Sequence, residues 1–154
     1  MLNYWCIVLF ISFPESVLIL LLGFHLTNIR NANLYKILII SAIQAIISLF
    51  LLIFMIGAEY ATILQIASLY VLVLIFFQFQ YYKAIIPVLI GSFIQGILQS
   101  IIFPFLSSFL KIEIMTLQND FKSGIICFFP VLLISVLLFL FIRKKNYYVW
   151  DIIT

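Results

Sequence analysis

Charge is what this sequence has least of. Of its 154 residues only 8% are Asp, Glu, Lys or Arg, whereas 67% are apolar, and mean hydropathy is +1.35. Soluble domains carry about 25% charged residues, so a fold surrounded by water is excluded and lipid is the solvent that suits this composition. The net charge of +3 is small and dispersed, which removes nucleic acid from the partners. Cysteine is also scarce. Cys6 and Cys127 each lie inside an apolar run, which excludes a disulfide framework and a metal-ligand spacing, and no cofactor is implied. A cleavable signal is not expected either, because the first apolar run lacks a basic leader, contains Glu15 and offers no small-residue cleavage site.

What is present is a succession of apolar runs, each long enough at about 1.5 Å per residue to cross a hydrocarbon core of roughly 30 Å. Five spans are expected, over residues 4–26, 34–56, 61–79, 84–105 and 125–142, giving one all-α integral membrane bundle over residues 1–154. Tyr4 and Trp5 at one end, and Tyr147, Tyr148 and Trp150 at the other, suit the interface between bilayer and water. An Asn-rich turn from Thr27 to Asn33 separates the first two spans, and Lys36 is expected to snorkel back to the interface. Pro87 and Pro104 are expected to break the fourth span near its two ends, and the polar stretch 106–124 follows it.

An odd number of spans puts the termini on opposite sides. Arg30, Lys36, Lys83, Arg143, Lys144 and Lys145 would then share one side, leaving Lys111 and Lys122 on the other. By the positive-inside rule the C-terminus is expected in the cytoplasm and the N-terminus outside, as in a multi-pass protein of the cell membrane. No internal repeat is visible, and five spans do not divide into two equal inverted halves.

Against this apolar background a few polar residues stand out. Glu15, directly after Pro14, lies near the middle of the first span, where a charge costs roughly 2.5–3.5 kcal/mol. Pro14 withholds a backbone donor, so it is expected to kink or break the helix beside the acid. In the fourth span Gly91, Gln95 and Gln99 recur every four residues, flanked by Ser92, Gly96 and Ser100, a small-and-polar seam on one helix face. Gln44 and Gln65 sit well inside the second and third spans. Two readings fit: a packing seam with a neutral hydrogen-bonded Glu15, or a polar cleft walled by Glu15, Gln44, Gln65, Gln95 and Gln99. Pairing His25 with Cys6 or Cys127 as a catalytic dyad fails, because Cys6 is far along the same helix and Cys127 belongs to the opposite side. A non-enzyme is therefore expected.

The stretches FPESVLILLLGFHLTN, LYKILIISAIQAIISL, IIFPFL and the closing RKK resemble the membrane-embedded N-terminal domain of Firmicute GHKL-type sensor histidine kinases, akin to accessory-gene-regulator receptors and sporulation kinases. In that family a Pro-Glu pair commonly sits in the first helix, which here is Pro14-Glu15. The chain reaches Thr154 without a phospho-accepting helix or a Gly-rich ATP-binding domain. The resemblance implies a stand-alone domain that senses or relays a signal, with itself or a sensor kinase as partner and a small molecule or peptide as ligand. The alternative is a small transporter or a substrate-binding membrane subunit.

Overall fold

A computed structural model describes residues 8–29, 32–54, 58–110, 121–149 and 151. Among these the chain forms five helices and no strand. They are α1 (Phe13–Leu26), α2 (Leu34–Ile53), α3 (Ala58–Phe77), α4 (Tyr81–Leu110) and α5 (Phe121–Lys145), and a π-helical turn, Val8–Ser12, leads directly into α1. Segments Leu34–Ile53, Tyr60–Phe77 and Tyr81–Leu106 are long and apolar enough to cross a membrane, while Phe10–Leu26 is apolar but shorter. Tyr4, Trp5 and Trp150, expected at the interface, and most of the polar stretch 106–124 lie outside the described residues.

Local chemistry explains where the helices stop. Thr27 ends α1 by turning its hydroxyl back onto the Gly23 carbonyl at 2.8 Å, and Asn28 then takes a left-handed conformation, φ 60°. Asn33 starts α2 by accepting from the Tyr35 N–H at 2.9 Å, an N-cap of the usual kind. Gln78 after α3 and Asn146 after α5 are again left-handed, at φ 54° and 53°. Lys36, expected to snorkel back to the interface, reaches the end of α3. Its Nζ donates to the Phe76 carbonyl at 2.9 Å and lies 5.4 Å from the centre of the Phe77 ring, so the cation satisfies the otherwise unbonded C-terminal end of α3.

The expected breaks at Pro87 and Pro104 are corrected. α4 runs unbroken through both. A membrane helix tolerates proline where neighbours accommodate the disturbed turn, and here Pro87 is buried under Gly23 of α1. A Cβ at Gly23 would collide with the Pro87 carbonyl oxygen, and one at Gly91 would collide with the Ile19 carbonyl oxygen. These two pairs make α1 and α4 antiparallel neighbours, backbone against backbone, in the most extensive helix–helix contact of the bundle.

The apolar core lies where α1 to α4 meet, with Leu20 and Phe24 packed against Ile37, Ile40, Leu69, Val73, Ala84 and Val88. α5 closes the other flank of α1 through Leu22, Leu26 and Ile142. Outside the core the usual ordering is inverted. Phe93, Phe105 and Phe129 are more than half exposed, at 70%, 71% and 61%, whereas Gln95 is 1% and Gln44 3% exposed. A bundle that turns large apolar side chains outward and amides inward is consistent with an apolar surrounding such as lipid.

Candidate functional site

The site begins at the junction before α1. Pro14 occupies one of the first two positions of the α-helix, where proline is most readily accommodated. The chain stays helical through it, so Pro14 does not break the segment; the register changes from π to α. π-turns inside helices recur at functional sites. This one aims Glu15 and Ser16 inward, and the Ser16 hydroxyl is tied back to the Ser12 carbonyl at 2.8 Å.

Glu15, Gln44, Gln65, Gln95 and Gln99 all line one cavity of about 100 Å³, formed between α1, α2, α3 and α4. That is room for a small polar group or a few water molecules. Ser12, Ser16, Ser48, Thr62 and Ser92 add hydroxyls to the wall, and Glu15 is the one ionisable side chain in it. Gln99 Nε2 donates to Glu15 Oε1, joining α4 to α1 across the contact made by the glycines.

On the opposite wall Gln44 Nε2 donates to the Gln65 carbonyl at 3.1 Å, and Gln44 Oε1 accepts from the Ser68 hydroxyl at 2.9 Å. Gln65 Nε2 donates to Ser48 Oγ at 3.2 Å. These bonds lace α2 to α3. Behind the cavity Ser135 of α5 shares its hydroxyl between Gln95 Oε1 at 2.9 Å and its own Val131 carbonyl at 2.8 Å.

Two lining groups are left over. Gln95 Nε2 and Ser92 Oγ are buried without a hydrogen-bond partner. A buried polar group in that condition costs about 1–3 kcal/mol. Turning the Gln95 amide over would exchange its free end, not remove it.

The small-and-polar seam of α4 therefore divides. Gly91 packs against α1, and Gln95 and Gln99 enter the cavity, as the four-residue spacing implies. Gly96 and Ser100 do not pack against another helix as a closed seam would require. A Cβ at Gly96 would meet nothing within 4 Å, and both residues line an outward-facing groove. The spacing of 100° per residue rotates their stripe off the buried face. Sequence reasoning missed Gly23 and the hydroxyls of Ser48, Ser68 and Ser135. Gly23 lies four residues before Thr27, and its one signal is the Gly in an otherwise unbroken run of large side chains.

Outside the cavity, His25 packs edge-on against Phe139, ring centres 6.0 Å apart. Cys6 lies outside the described residues, as does the side chain of Cys127. Among the described residues no cluster of His, Cys, Asp and Glu has the makings of a metal site.

The set defines a class of site: an acid and several amides enclosed by apolar helices, able to donate to and accept from a small polar group. Compared with known proteins, the chain matches no family model, no curated protein and no solved structure.

Proposed function

We propose that the chain is a non-catalytic membrane protein of five spans that senses a ligand in the Glu15 cavity and relays its state to the C-terminal end. In this reading it is a multi-pass protein of the cell membrane, with its N-terminus outside and its C-terminus in the cytoplasm. Its partner is a second copy or a separate histidine kinase, in keeping with the resemblance of its first helix to kinase sensor domains.

One observation carries the reading. The helix that brings Glu15 to the cavity is also the helix to which the C-terminal segment is fastened. The Val149 N–H donates to the Leu26 carbonyl at 2.8 Å, and Asn28 Nδ2 donates to Asp151 Oδ2 at 3.0 Å. α1 thus joins a polar cavity at one end to the segment after α5 at the other. A change at the acid has a short, continuous route to the end of the chain that would face a cytoplasmic partner.

The same acid-lined cavity also favours the second reading, a small transporter or substrate-binding membrane subunit. The separating experiment is capture of the chain from gently extracted native membranes, with mass spectrometry of what accompanies it, alongside a Glu15→Gln variant. The relay reading expects a sensor kinase among the captured proteins and altered signalling without altered solute flux. Recovery of a transport ATPase, or loss of uptake in Glu15→Gln, would replace it with the second reading.

A further inference from the structure

The cavity does not end at its polar wall. An outward-facing groove of about 750 Å³ shares Ile66, Ser92 and Gly96 with it, so the two spaces adjoin over the Ser92–Gly96 turn of α4. Away from that turn the groove is apolar, with Leu89, Phe93, Ile94 and Ile97 in its lining, and at the C-terminal end of α1 it is bounded by Leu26 and Val149. From Leu89 to Ser100 the groove follows eleven helical steps, roughly 16 Å. Gly96 lies where the two spaces adjoin, and a Cβ there would meet nothing within 4 Å, so a larger side chain has room at the junction.

Resting on the cavity as a ligand site, we propose that cavity and groove together hold one single-chain amphiphile, its head carrying an amine and a hydroxyl and its chain lying along α4. The head chemistry follows from the lining. Glu15 is the ionisable group of the wall, and with Gln99 on one oxygen its carboxyl retains capacity for another donor, which an amine supplies. Gln95 Nε2, on a side chain only 1% exposed, has no acceptor, and Ser92 Oγ, three residues earlier on the same helix and in the same cavity wall, has no partner; a ligand hydroxyl supplies what either lacks. A carboxylate or phosphate head would instead bring acceptors alone and leave the second Glu15 oxygen without a donor. The groove supplies what a small polar solute does not need, a wall of apolar side chains reached from the bilayer. Its occupant would also touch Val149, whose backbone N–H is fastened to Leu26.

The test uses the full chain in phosphatidylcholine nanodiscs and 2-amino-1-dodecanol bearing a photoactivatable diazirine at the end of its chain. Adducts are mapped by mass spectrometry. Saturable labelling of the groove residues of α4 or of Val149 is expected, falling at least five-fold in Glu15→Gln and in Gln95→Leu. Gly96→Leu meets no neighbour at its Cβ, so it should fold, and its longer side chain at a position lining both spaces should abolish the saturable labelling. Dodecanoic acid should not compete, and 2-aminoethanol should compete at least a hundred-fold more weakly than the unlabelled long-chain probe. Equal labelling of wild type, Glu15→Gln and Gly96→Leu would reduce the groove to ordinary lipid contact and overturn the inference. Competition by 2-aminoethanol as strong as by the long-chain compound would overturn it differently, leaving the cavity as a site for a small polar ligand and the relay reading intact. Failure of the relay reading is read separately, from the captured partners and from flux.

Discussion

The contact between α1 and α4 yields a prediction about non-additivity. Gly23 meets the Pro87 carbonyl and Gly91 meets the Ile19 carbonyl, so an added methyl at either place has rigid backbone in front of it. Overpacking costs about 1–3 kcal/mol, and with no flexible side chain to give way the upper part of that range applies. Replacing glycine by alanine returns up to about 1 kcal/mol through helix propensity. Gly23→Ala and Gly91→Ala should therefore each destabilise the bundle by about 2 kcal/mol. The two contacts lie four residues apart along both helices, so parting the helices at one loosens the other. Parting by about 1 Å already forfeits a quarter to a half of the dispersion attraction between facing atoms, which includes the core packing of Leu20, Phe24 and Val88. Once that is lost, the second methyl has space. The double variant should cost about 2–3 kcal/mol, well short of the sum, with a coupling of about 1–2 kcal/mol. Reversible unfolding in mixed micelles, followed by circular dichroism against the mole fraction of dodecyl sulfate, measures all three. Gly96→Ala is the control and should be neutral or slightly stabilising. Strict additivity of the two singles, or a Gly96→Ala as damaging as either, would refute the close-approach argument.

Three further outcomes are expected. Gln44→Leu removes two bonds between α2 and α3, at roughly 0.6–2 kcal/mol each, and should lower stability by about 1–3 kcal/mol; a cycle with Ser68→Ala that shows no coupling would contradict the Gln44–Ser68 bond. Asp151→Ala should raise the thiol reactivity of a cysteine placed at Val149, in a background lacking Cys6 and Cys127, several-fold while shifting the unfolding midpoint little. An unchanged reactivity would mean that Asn28 and Asp151 do not hold the segment. A reporter that fluoresces only in the cytoplasm, fused after Thr154, should be bright, and the same reporter inserted among residues 111–120 should be dark; the reverse pattern would overturn the orientation drawn from the basic residues.

The helices were legible because each is a long apolar run, and neither lipid nor core asks for finer patterning. Their ends were less so. α4 extends past Pro87 where Gly23 makes room opposite it, a fact that depends on a residue more than sixty positions away. The cavity was legible in its acid and amides, since Glu15, Gln44, Gln65, Gln95 and Gln99 have no comfortable place facing lipid and converge on one space. Its hydroxyls were not. Ser48 and Ser135 bond the carbonyls four residues back, Gln44 and Val131, so a serine in an apolar helix is satisfied wherever it points and its sequence position carries no direction. Gly96 misled for a related reason: small residues mark close approach only when a neighbour is there.

The cross-helix side-chain bonds described above fall into two groups. Lys36 with Phe76, and Gln44 and Ser48 with Gln65 and Ser68, bind α2 to α3. Glu15 with Gln99, and Gln95 with Ser135, bind α1, α4 and α5. The cavity lies between the two groups, on a boundary bridged by the packing of Leu20 and Phe24 against Ile37, Ile40, Leu69 and Val73. Such packing has no preferred direction and lets surfaces slide, whereas a laced or glycine-locked pair moves as one body. The molecule is accordingly a vice with two stiff jaws, and the width of the gap between them is the coordinate along which it yields most easily.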